Sequence, residues 1–194
     1  MTDIQSDRRT FLNQASLLTA GLMVVGTASG VADAAARRPA HKAAAGGGDI
    51  DILQTALALE HEGIAAYTIA AGSGLLTPDV IKVASVFLSH HKDHRDRLAN
   101  LVRSAGGNPV DAKPDAEYVQ ALNLGALKSQ GDVLTLAARL EMGATSAYVG
   151  QVAGLKDRSL ASTLASIGAD EASHWAILNN AIGGTVPVKG FIFG

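Results

Sequence analysis

Glu60, Tyr67, His91 and His94 are followed half a chain later by Glu141, Tyr148, Glu171 and His174, in the same order and at nearly the same spacing. Each Glu has a Tyr seven residues on, and 31 residues separate Glu60 from His91 where 30 separate Glu141 from Glu171. Carboxylate and imidazole are the common side-chain ligands of divalent metal ions. On a helix, residues three apart share a face, so His91-x-x-His94 and Glu171-x-x-His174 each deliver two donors to one place. One Glu from each of two helices plus a Glu-x-x-His from each of two more is how a four-helix bundle encloses a pair of iron or manganese ions. Here His91 stands where one of those four carboxylates would be.

For the six residues to meet, the chain must supply four helices with these positions turned inward. Leu53, Leu57, Glu60, Ile64 and Tyr67 follow 4, 3, 4, 3 spacing, the seam of a bundle helix over 49–71. His61 and Glu62 fall off that seam, toward solvent or another subunit. The second helix opens at Thr77-Pro78-Asp79 and turns Ala84, Phe87, His91, His94, Leu98 and Leu101 inward, leaving His90, Lys92, Arg95 and Arg97 outside. The third begins near Asp132 and carries Leu134, Ala137, Glu141, Tyr148 and Val152. The fourth begins at 157–159 and carries Leu160, Leu164, Ile167, Glu171, His174, Leu178 and Ala181. Between the second and third, 108–130 holds Pro109, Pro114 and a short helical pattern over 116–127. That is enough chain to cross the bundle lengthwise, which makes helices two and three parallel. The fold class is therefore all-α, a four-helix bundle over 49–183 with a long crossover between helices 2 and 3.

Six ionisable groups on seams otherwise filled with Leu, Ile, Ala and aromatics need compensation. An unpaired carboxylate in apolar surroundings costs several kcal/mol, and three together repel one another. A divalent cation removes both penalties. The alternative is a network of core polar residues that bond to each other around no ion. Tyr67 and Tyr148 either hydrogen-bond the ligands or simply fill space.

The rest of the chain sets limits. With 16 Lys+Arg against 18 Asp+Glu and a net charge of −2, nothing marks a nucleic-acid partner or an anionic membrane surface. With no cysteine, a thiolate site, a disulfide framework and a Cys nucleophile are all excluded. Asp7-Arg8-Arg9-Thr10-Phe11-Leu12, the small-residue apolar stretch over 15–31 and Ala32-Asp33-Ala34 read as a twin-arginine signal peptide over 1–36, cleaved on export. Glycines and hydroxyl residues interrupt that stretch, so it makes a poor spanning helix and no stable membrane anchor is expected after cleavage. Residues 37–48, ending in three glycines, read as a flexible linker. Residues 184–194 form an apolar tail with Phe191-Ile192-Phe193, available to dock on the bundle or on a second copy in a homodimer.

Leu59-Glu60 with Tyr67, His91-x-x-His94, Leu140-Glu141 with Tyr148, and Glu171-x-x-His174 give residues 50–182 a resemblance to the ferritin-like superfamily. It is similar in particular to the exported ferritin-like domain proteins of bacteria that include desiccation-related proteins. The resemblance implies terminal ligands at Glu60 and Glu141, a bridging carboxylate at Glu171 and terminal nitrogens at His94 and His174. His91 departs from the pattern, because a neutral imidazole offers one lone pair to one metal where a carboxylate spans two. Three carboxylates also leave two divalent ions with an excess charge of +1. One metal or two per chain are both open, as is the metal: iron or manganese by resemblance, zinc or copper by ligand type. The resemblance implies a redox metalloprotein of the periplasm or another exported compartment, acting on oxygen, peroxide or ferrous iron. The alternative is a non-catalytic metal-binding or stress-protective protein with a degenerate one-metal or empty site. Whether the protein is an enzyme is left open. A storage cage is disfavoured, since no fifth bundle helix is evident.

Overall fold

The computed structural model describes residues 48–193. The expected export signal, and all of the expected linker but Gly48, lie outside the described residues. Five α-helices follow in order: α1 (Asp49–Gly72), α2 (Pro78–Ser104), the short α3 (Asp115–Ala121), α4 (Gln130–Val152) and α5 (Arg158–Ala181), with one 3-10 turn at Leu124–Ala126. The described residues contain no strand. None of these helices is long and apolar enough to cross a membrane.

Local chemistry sets the ends. Ser129 accepts from the Asp132 backbone N–H while the Asp132 carboxylate accepts from the Lys128 N–H at 2.9 Å. This reciprocal cap starts α4 at Gln130, slightly before the start near Asp132 that its apolar periodicity implies. Asp157 caps α5 by accepting from the N–H groups of Ser159 and Leu160. Thr77 occupies the N-cap of α2 without a side-chain cap bond; its N–H instead donates to Gln130 Oε1 at 2.9 Å. Gly106 and Gly183, both at positive φ, release the chain from α2 and α5, a conformation that costs glycine little.

α1 lies along α2, and α4 along α5; the two hairpins meet through α1 on α4 and α2 on α5. Gln54, early in α1, bonds Asn108 and Val110 just past the end of α2, so these two helices are antiparallel. Asp49 accepts from Lys156 and Asp157 beyond the end of α4, so α1 and α4 are antiparallel too. α2 and α4 therefore run parallel, as a lengthwise crossover requires. The crossover is less helical than its pattern suggests: Asn123, at φ 53, breaks it into α3 and the 3-10 turn.

Apolar layers close the core on both sides of its middle. On one side are Leu53, Leu57, Leu98, Val102, Tyr148, Leu164 and Ile167; on the other are Tyr67, Phe87, Ala138 and Leu178. Leu53, Leu57, Leu98 and Leu164 are fully buried, each contributing about 1.5–3 kcal/mol by transfer from water. That apolar framework is what holds polar groups in the middle layer out of water. The C-terminal tail is mostly exposed, with Phe193 alone set edge-on to Trp175 at a ring separation of 5.3 Å.

Candidate metal centre

All six expected residues are buried in the layer between the two apolar clusters: Glu60 from α1, His91 and His94 from α2, Glu141 from α4, Glu171 and His174 from α5. They form two overlapping sets. Glu60, His91, His94 and Glu171 each bring one donor atom within 4.8 Å of the others, and so do His91, Glu141, Glu171 and His174. His91 and Glu171 belong to both.

His91 lies between the halves with a nitrogen for each: Nδ1 is 2.8 Å from Glu60 Oε2, and Nε2 is 3.3 Å from Glu141 Oε1. Glu171 faces it from α5, with Oε1 3.1 Å from His94 Nδ1 and Oε2 3.3 Å from His174 Nδ1. Those last two contacts are close without being aligned as hydrogen bonds. His94 Nδ1, His174 Nδ1, Glu141 Oε2 and both oxygens of Glu171 are buried with no hydrogen-bond partner. Leaving one such group unsatisfied costs about 1–3 kcal/mol, more when it is charged. Carboxylate oxygens and imidazole nitrogens turned toward a common point in a dry interior are a donor set that a divalent cation satisfies and that hydrogen bonds alone do not. The chemistry of the six residues therefore fits a metal ion.

The surrounding residues continue the two-fold pattern. Tyr67 donates to Glu141 Oε1 at 2.5 Å, and Tyr148 donates to Glu60 Oε1, so each tyrosine serves the glutamate of the other repeat. This settles their role as hydrogen-bond partners of the cluster rather than filler. The residue preceding each x-x-His pair does the same for histidine. His94 Nε2 lies 3.2 Å from Asp170 Oδ2, and His174 Nε2 lies 2.9 Å from His90 Nδ1. Outward partners of this kind fix which ring nitrogen faces the centre.

His90 corrects the expectation that it turns away: its residue surface is exposed, yet its ring stacks on that of His174 at 5.2 Å. Asp170 was not singled out by periodicity either, though its position one before Glu171 mirrors His90 before His91. His61, off the seam and partly exposed, places its Nε2 3.1 Å from the Val110 carbonyl oxygen, at the start of the crossover. Gly63 is a further residue of the site. A Cβ there would come to 3.0 Å from the His91 ring, so any other residue would press on the imidazole.

Charge is shared across the cluster. Burial disfavours the charged imidazoles, but the close carboxylates of Glu171 and Glu60 outweigh it at His94, raising it to about 10. Glu141 and Glu60 likewise outweigh burial at His91, and Glu141 and Glu171 do so at His174, raising both. Burial pushes Glu60 and Glu141 up, yet their histidine neighbours prevail and hold both below the usual carboxylate range. For Glu171 burial prevails and the shift is upward. Metal-free, the cluster holds protons where a cation would place its charge.

No curated protein matches the chain. Among solved structures, a conserved hypothetical protein from Mycobacterium tuberculosis superposes with a TM-score of 0.59 and 22% identity, covering 74% of this chain and 96% of that one. At that identity the likeness is one of fold. The family profile described as ferritin-like domain matches residues 48–184, which take in all four bundle helices and the metal-type cluster they enclose. This chain belongs to the ferritin-like domain family.

Proposed function

We propose that this chain is an exported metalloprotein whose six core ligands, Glu60, His91, His94, Glu141, Glu171 and His174, hold divalent iron or manganese. The observation that carries this reading is the set of buried donor atoms left without hydrogen bonds at the centre of the bundle. Export through the twin-arginine route is supported by Arg8-Arg9 and the segment that follows them. Because that route carries folded proteins, the metal would be chosen before the protein leaves the cytoplasm.

The ligand geometry supports unequal binding. The half built from Glu60, His91, His94 and Glu171 has Asp170 behind His94, a carboxylate that strengthens the imidazole as a donor. The other half has the neutral or cationic ring of His90 behind His174 in place of a carboxylate, while His91 and Glu171 are common to both halves. A first ion thus binds tightly in the first half, and a second binds more weakly. A bound redox-active ion supplies one-electron chemistry toward oxygen or peroxide. The residues supply anionic and imidazole donors, two phenol hydroxyls that hold the carboxylates in place, and an interior from which water is excluded.

Replacing Glu171 with Ala removes a donor from both halves and is expected to abolish tight binding. Glu141→Ala removes one only from the second half and is expected to leave the first ion in place. Metal analysis of the purified variants tests this. Wild-type metal content in Glu171→Ala would remove these residues from ligand duty.

A further inference from the structure

At the end of the bundle where α1 and α5 finish and α2 and α4 begin, a recess of about 510 Å³ opens between the helices and the crossover. It lies in the size range of small-molecule sites, roughly 300–1,000 Å³. Its depth comes from alanines, Ala66, Ala70, Ala84 and Ala137, at positions where larger side chains would close the space. Val83 and Ile177 stand half exposed at the mouth, whereas Ala66, Leu136 and Leu178 farther in are buried. The space is thus a pocket that narrows inward and not a flat apolar face.

Its floor touches the cluster. Tyr67 and Phe87 line the recess. The Tyr67 hydroxyl is turned away from it to Glu141, and the Phe87 ring stacks on His174 at 4.1 Å. Besides Tyr67, the polar side chains of the lining are Ser73 and Asp79. Asp79 is paired with Lys82 at 2.9 Å, so the mouth favours neither an anion nor a cation. A charged group inside would find no partner and would be strongly disfavoured. Water has few groups to bond there. The chain's own tail lies elsewhere, with Phe193 on Trp175, which is not part of the lining.

We propose that this recess binds one uncharged aliphatic or aromatic molecule, its inner end resting on the Tyr67 and Phe87 rings that back the metal centre. Binding itself is independent of the metal; the contact with a metal centre rests on the function proposed above.

The test uses the full chain and the neutral fluorescent probe N-phenyl-1-naphthylamine, with and without prior EDTA treatment. Saturable binding of one probe per chain, displaced by 1-dodecanol, is the expected result in both states. Ala84→Trp, which fills the recess, and Val83→Asp, which charges its mouth without touching the core, should each weaken binding at least tenfold and leave metal content unchanged. Absence of saturable binding, or equal affinity in all three proteins, overturns the proposal. Binding seen only after residues 186–194 are deleted would give the recess to the tail of a second copy and overturn it equally. In cobalt(II)-loaded chain, dodecanol should shift the visible bands, and a bound alcohol with no shift would remove the contact with the centre. Failure to take up cobalt while the probe still binds would sink the metal reading and leave the recess standing.

Discussion

His91 occupies the position with the greatest leverage in the cluster, between Glu60 at 2.8 Å and Glu141 at 3.3 Å. As a neutral imidazole it can give its lone pair to only one half at a time. His91→Glu supplies a carboxylate that can span both halves and a fourth negative charge against two divalent ions. We expect this variant to hold a second metal ion per chain at concentrations where wild type holds one, measured by metal titration; unchanged stoichiometry would contradict the role given to His91. The imidazoles also set the pH behaviour of metal-free protein. Histidines raised in the folded state stabilise fully below their ordinary value of 6.5, and the contribution fades as pH climbs toward the folded value, about 10 for His94. Glu60 and Glu141, lowered in the folded state, stabilise fully above 4.5 and less as pH falls below it. Metal-free chain should therefore unfold at the highest temperature between pH 4.5 and 6.5 and at progressively lower temperatures from there to about pH 10, while metal-loaded chain resists that alkaline loss. A melting temperature of the metal-free chain that stays level over that alkaline span would show that these contacts add nothing to stability. The convergence of all six residues was legible in the sequence because buried ionisable groups break an apolar seam. Asp170 and His90 were not, because they sit one position off the seam and reach the cluster only through the opposite helix.

At the scale of the element, each side chain of the cluster is aimed by the helix that carries it and by what the neighbouring helix leaves open. α1 places Glu60 inward and, three residues on, Gly63, whose missing side chain admits the His91 ring from α2. Gly63→Ala puts a methyl within 3.0 Å of that ring. Overpacking of this kind costs about 1–3 kcal/mol. Gain in helix propensity offsets at most about 1 kcal/mol of it. We expect a lower melting temperature together with reduced metal affinity, since a displaced imidazole serves both halves poorly. A variant as stable as wild type with unchanged metal binding would show that the ring has room to move. Helical periodicity gave the four bundle helices to within a turn at their ends. It overstated the crossover helix, which Asn123 in a left-handed conformation interrupts, because that break depends on how residues 122–127 pack beneath α1 and α4. It also left the tyrosines undecided, since which glutamate a phenol meets depends on helix pairing. The antiparallel contact of α1 with α4 carries Tyr67 to Glu141 and Tyr148 to Glu60.

Over the whole molecule, two hairpins of like design close on each other so that their polar seams meet and their apolar layers seal both sides. The parallel course of α2 and α4 brings the repeats into two-fold register, and that register makes Glu171 the counterpart of His91, His174 of His94 and Asp170 of His90. The recess at one end was invisible to periodicity, because alanines at 66, 70, 84 and 137 read as ordinary core while their effect is the space between helices. Four helices converging six acidic and imidazole groups on one dry interior layer make sense when a cation balances them. Elemental analysis of the protein isolated from the compartment to which its proposed signal would export it tests this most directly. At least one equivalent of iron or manganese per chain, lost in Glu171→Ala while the helical fold persists, is the expected result; a folded wild-type chain carrying no metal above background would contradict it.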